Sequence, residues 1–113
     1  MNDQMSSEDI QITAFNIILH SGNAKTKIHA AFKEMRNAEF DTANQLLEEA
    51  NEEILEAHKS QTDLLQSYAN GCKIEMEIIM VHAQDHLMTT MTLREVAIEM
   101  CYLYQKNHQL SNQ

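Results

Sequence analysis

Ile78-Ile79-Met80-Val81-His82-Ala83-Gln84-Asp85-His86-Leu87-Met88 sets two histidines and one aspartate within five residues of each other, among aliphatic neighbours. The stretch around it, Ile74 to Leu103, contains neither Pro nor Gly. At about 100° per residue it reads as one long helix with two apolar faces. Ile74, Ile78, Val81, Met88, Thr92 and Val96 share one face, and Asp85 lies at its centre. Met76, Met80, Ala83, Leu87, Met91 and Ile98 fall roughly opposite. A helix inside a small bundle needs one buried stripe. A second apolar face predicts self-association, with copies of the chain packed face to face.

The segments upstream carry the same helical period. Ser6 or Ser7, followed by Glu8 and Asp9, has the form of an N-cap with acids at the positive dipole end. Ile10, Ala14, Ile17, Ile18, Ser21, Ala24, Ile28, Ala31, Phe32 and Met35 then form a stripe. Gly22 interrupts it and marks a close approach, a kink or a merely tolerated glycine. Asn37-Ala38-Glu39 reads as a short turn, with Asp41 as a cap. A second stripe runs Phe40, Ala43, Leu46, Leu47, Ala50, Ile54, Ala57, Leu64, Leu65, Tyr68, with Glu48, Glu49, Glu52, Glu53 and Glu56 as its solvated side. Asn70-Gly71 suits a left-handed helix end. The spacing therefore predicts helices over 6–36, 40–68 and 73–106, a frayed polar tail from Asn107 to Gln113, and one domain over 1–113. The fold class is all-α, an antiparallel three-helix bundle.

Composition narrows the function. The 113 residues carry a net charge of −9. That disfavours nucleic acid or an anionic membrane as a direct partner, since both need basic patches. Cys72 and Cys101 lack any CxxC spacing and fit reduced thiols in a cytoplasm. No apolar run is long enough to span a bilayer. The acidic, polar start, Met1 to Asp9, does not have the form of a signal peptide.

Three readings compete for the central cluster. The histidines are hydrogen-bonded structure; or His82 and His86, at i and i+4 with Asp85 between them, bind a transition metal; or His82 is a nucleophilic imidazole whose free ring nitrogen accepts a phosphoryl group. No Gly-rich phosphate loop is present, so the third reading requires another protein as donor. Asp85 in an apolar seam has two solutions. It reaches water or pairs with Arg94 or a lysine, or it converges with its copies on a symmetry axis around a cation such as Mg2+.

Val81-His82-Ala83-Gln84-Asp85-His86-Leu87-Met88-Thr89 resembles the signature of the lactose/cellobiose-type enzyme IIA components of the bacterial phosphoenolpyruvate-dependent sugar phosphotransferase system. Ile18-Leu19-His20-Ser21-Gly22-Asn23-Ala24 is similar to that family's first-helix motif. Glu48-Glu49-Ala50-Asn51-Glu52 and Glu56-Ala57-His58-Lys59-Ser60-Gln61-Thr62 are similar to its second helix. Lys25 departs from the family's usual Arg, which changes any bidentate contact made there. The resemblance implies a cytoplasmic phosphocarrier in the uptake of a disaccharide of the lactose/cellobiose type, and a homotrimer of three-helix bundles. It implies that His82 is phosphorylated at Nε2 by the phosphocarrier HPr and discharged to a cysteine of enzyme IIB. It also implies that Asp85 shares one structural Mg2+ with its copies at the trimer axis. Gln84 and His86 are candidate donors to the phosphoryl group, and Met80, Leu87 and Met91 a candidate docking face for partners.

Overall fold

The computed structural model describes residues 4–112; the expected polar start at residues 1–3 and the last tail residue, Gln113, lie outside them. Three helices follow in order: α1, Ser7–Arg36; α2, Phe40–Ala69; and α3, Ile78–Ser111. They form the all-α antiparallel bundle that the periodicity predicts. Ser6 caps α1, its hydroxyl accepting from the Asp9 amide at 3.1 Å, with Glu8 and Asp9 in the first turn. Ala38 (φ 58°) reverses the chain between α1 and α2, and Gly71 (φ 96°) closes α2. Glu39, not Asp41, is the N-cap of α2, and it makes no side-chain cap bond.

One face of each helix supplies the core. α1 contributes Ile10, Ala14, Ile17, Ala24, Ile28, Ala31 and Met35. α2 contributes Ala43, Leu47, Ala50, Ile54, Ala57 and Leu64, and α3 contributes Met80, Ala83, Leu87, Ala97 and Cys101. Alanines recur at the contact positions and allow close helix approach, while Ile, Leu and Met fill the layers between them. Gly22 lies in unbroken helix, and a Cβ added there meets nothing within 4 Å, so neither a kink nor a close neighbour explains it.

The ends of α3 differ from expectation. Residues 73–77 are not helical. Lys73 forms a parallel bridge with Gln4, and the Met5 amide donates to the Lys73 carbonyl at 2.8 Å. This tertiary pairing overrides the helical propensity of the segment. At the other end, the tail expected to fray stays helical to Ser111. Phe40 meets the His108 ring edge-on, with centroids 5.7 Å apart, and holds those last turns beside the start of α2.

The acidic side of α2 also carries more than solvent. Lys27 Nζ donates to Glu49 Oε1 at 2.7 Å, His20 Nδ1 lies 2.6 Å from Glu53 Oε2, and Arg94 Nη2 lies 3.6 Å from Glu48. Asn16 donates to Ser60 further along the same α1–α2 seam. The hydrogen bond and charge of Lys27 pull the Glu49 carboxyl below its ordinary range and push Lys27 up. Burial alone pushes the Cys101 thiol up, and its Sγ lies 3.7 Å from Asn44 Oδ1.

Candidate functional site

The buried positions of α3 fix its orientation. With Ala83, Leu87 and Cys101 facing the core, a residue 100° further on per step places Asp85 almost directly opposite. Of the two apolar faces, the Met80–Ala83–Leu87 face is therefore the one the chain buries for itself. The other faces outward. On it Ile78 is 88% exposed, Val81 51%, Met88 50% and Val96 49%. Met80 and Leu87 belong to the core and Met91 is half-buried. The expectation that these three form a partner-docking face is thereby corrected: Met80 and Leu87 have no surface left to offer.

Asp85 is exposed within this outward stripe and makes no ion pair among the described residues. Arg94, one of the partners considered for it, is engaged elsewhere. Its Nε donates to the Leu47 carbonyl at 2.8 Å and its Nη2 faces Glu48. Among the described residues no group of three or more His, Cys, Asp or Glu side chains is placed to hold a metal ion. His82, Asp85 and His86 do not converge within one chain. A single exposed carboxylate in an apolar stripe fits a hard cation only if further copies of the chain bring theirs to it.

His82 is exposed and lies about a quarter turn from the core direction, on the flank of α3 that faces α1. Its ring lies 6.1 Å from that of His86, tilted by 57°. Its ring nitrogens make no hydrogen bond among the described residues, so a lone pair is open to an incoming electrophile. His86, one turn on, is half-buried, and its Nδ1 lies 3.3 Å from Thr90 Oγ1. The same flank continues into a depression of about 360 Å³ lined by Lys25, His29, Thr89, Thr90 and Leu93. Lys25, the departure noted in the first-helix motif, thus lies on the flank that carries His82.

Gln84 is placed differently. Two residues from His82 is about 200° of rotation. It lines a groove of about 330 Å³ on the α2 side, with Leu64, Leu65, Tyr68, Ile74 and Met80 among its walls. Within one chain His82 and His86 are brought together and Gln84 is not. Thr90 is the residue that the sequence reading passed over. It is 1% exposed, and its Oγ1 lies 3.3 Å from His86 Nδ1. Its i, i+4 spacing from His86 on the core side was the available signal.

No helix among the described residues is long and apolar enough to cross a membrane. Residues 12–105 match the family described as the lactose/cellobiose-specific IIA subunit of the PTS system. The chain is 43% identical over 102 residues to the PTS system lactose-specific EIIA component of Staphylococcus epidermidis, covering 90% of this chain and 98% of that one. A crystal structure of PtcA from S. mutans superposes with a TM-score of 0.88 at 62% identity, covering 89% of this chain and 99% of the other. The IIA(Chitobiose) component of Escherichia coli, solved in solution in complex with HPr, superposes with a TM-score of 0.77 at 31% identity, covering 88% of this chain and 96% of that one. A three-helix bundle with an open imidazole on α3, matched over most of its length in sequence and in fold, belongs to the lactose/cellobiose-specific IIA family of the sugar phosphotransferase system.

Proposed function

We propose that this chain is a cytoplasmic phosphocarrier that takes a phosphoryl group from phospho-HPr onto Nε2 of His82 and passes it to a cysteine of enzyme IIB during uptake of a disaccharide of the lactose/cellobiose type. The carrying observation is His82 itself: an exposed imidazole with open ring nitrogens, within the stretch that matches the family. The solution complex of the E. coli relative with HPr supports the same donor for this chain. In the first step the neutral Nε2 lone pair forms a P–N bond as the donor's P–N bond breaks. In the second that P–N bond breaks as a P–S bond forms on the acceptor thiolate. Both are in-line displacements through a loose, charge-spread transition state, so the protein's work is placement and hydrogen bonding. His86, with its ring beside that of His82, is positioned to donate to a phosphoryl oxygen. Gln84 serves such a role only for a group brought to the α2 side of α3.

The outward face of α3 supports a homotrimer. Ile78, Val81, Met88 and Val96 are left uncovered by their own bundle, and Asp85 sits among them. A solvent-facing apolar stripe of this length on a small domain is the mark of an interface. In such a trimer the three Asp85 carboxylates would hold one Mg2+, whose positive charge would let them approach. The ion is structural, and no transfer step passes through it.

The test is intact-mass analysis after mixing the chain with phosphoenolpyruvate, enzyme I and HPr. One acid-labile phosphoryl group per chain is expected, mapped to His82 and absent from His82→Ala, which keeps the wild-type fold and assembly. No added mass in the presence of demonstrably phosphorylated HPr overturns the reading.

A further inference from the structure

Two adjacent threonines on α3 use their hydroxyls differently. Thr89 is exposed and donates to backbone, 2.8 Å from the Asp85 carbonyl and 3.2 Å from that of His86. This is the ordinary behaviour of a mid-helix threonine. Thr90 is 1% exposed, and its hydroxyl lies 3.3 Å from Nδ1 of His86. Among the described residues that nitrogen is the one polar side-chain or backbone atom recorded against it. A buried hydroxyl needs a partner, and the His86 nitrogen is the one this hydroxyl has.

We propose that Thr90 is a positioning residue that sets the tautomer of His86. The inference rests on the carrier reading above. With its O–H donated to Nδ1, Thr90 leaves the neutral His86 ring with its proton on Nε2. The opposite arrangement, Nδ1–H donating to Oγ1, would strand the buried hydroxyl proton. The Thr90-directed tautomer turns an N–H outward beside the His82 ring, 6.1 Å away centroid to centroid. A phosphoryl group on His82 carries negative charge on its oxygens, and an N–H stabilises it where a nitrogen lone pair would repel it. Thr90 also fixes χ angles of the ring from the core side. His86 then meets each incoming phosphoryl group already oriented, with no reorganisation at the moment of transfer.

The experiment compares wild type, Thr90→Val and Thr90→Ser in the full chain with HPr and enzyme IIB. Valine keeps the shape and removes the hydroxyl; serine keeps the hydroxyl. The readouts are the imidazole 15N shifts of His86 at fixed pH in the neutral form, and the rates of phosphoryl transfer to and from His82. Expected is a dominant Nε2–H tautomer in wild type and Thr90→Ser. In Thr90→Val that preference is lost and transfer slows about tenfold, the scale of one hydrogen bond to a charged group. An unchanged His86 tautomer in Thr90→Val overturns the proposal, as does a lost tautomer with unchanged transfer. If the wild-type chain accepts no phosphoryl group at all, the carrier reading falls, and the 15N shifts alone then decide the role of Thr90. If Thr90→Val fails to fold, a Thr90→Ser chain with the Nδ1–H tautomer overturns the proposal and one with the Nε2–H tautomer upholds it.

Discussion

The two apolar faces of α3 are alike in composition and opposite in fate. One carries Met80, Ala83 and Leu87 and is the chain's own core; the other carries Ile78, Val81, Met88 and Val96 and stays exposed. Side-chain chemistry alone does not distinguish them. What differs is charge at the centre: the outward face carries Asp85 among its apolar residues, where the inward one has only the hydroxyl of Thr90. A carboxylate can be left facing water or a shared cation but not sealed in a monomer core. On the proposed reading, the aspartate marks the face that assembly would use.

Substitution should separate the faces sharply. Leu87→Ala is expected to cost about 2–5 kcal/mol in denaturant unfolding, because it opens a cavity in a fully buried layer. Met88→Ala, one residue away, should cost the fold less than about 0.5 kcal/mol and show its effect in the association constant. Equal losses of fold stability from the two would erase the distinction. Asp85→Leu comes next. It should abolish the dependence of the oligomer on divalent cation, measured by sedimentation with and without chelator, and leave the helix content unchanged. An oligomer that still falls apart on chelation would place the cation elsewhere.

Gly22→Ala sharpens the comparison on α1. In the single chain the new methyl meets nothing within 4 Å, so a gain of about 0.5–1 kcal/mol in helix stability is expected. A loss would reveal a neighbour packed on Gly22 in the assembly. The smallest effect belongs to Lys27 and Glu49, an exposed pair that salt screens. Because Lys27 holds the Glu49 carboxyl down, their stabilisation is complete above the ordinary glutamate range and fades as pH falls through the lowered value. Glu49→Gln should flatten that part of the acid limb in a melting series, by less than any substitution above.

Much of this was legible in the sequence. The helix period, the Ser6 cap, the turn at Asn37–Glu39 and the Asn70-Gly71 stop are local signals, and each appears in the structure. The features that escaped depend on partners far away in the chain. Residues 73–77 stay out of the helix where Lys73 pairs with Gln4 and Met5, and no local propensity records that contact. Glu48, Glu49 and Glu53 look like a solvated face until α1 and α3 bring Lys27, His20 and Arg94 across to them. At the candidate site, periodicity places His82, His86 and Asp85 correctly on one helix. It also places Gln84 about 200° from His82, which contiguity in the motif obscures. The choice between the two apolar faces was open in the pattern, and it cost Met80 and Leu87 their expected place at the surface.

The bundle measures 69 × 20 × 19 Å, roughly three and a half times as long as it is wide. A rod of that shape experiences more friction than a sphere of equal mass, so a lone chain elutes from a sizing column ahead of its 13.0 kDa. Three such rods lying side by side make a stouter particle, which runs closer to its true mass. Elution volume therefore compresses the difference between one chain and three, and light scattering or equilibrium sedimentation, which weigh the particle without regard to its outline, are the measurements that count the subunits.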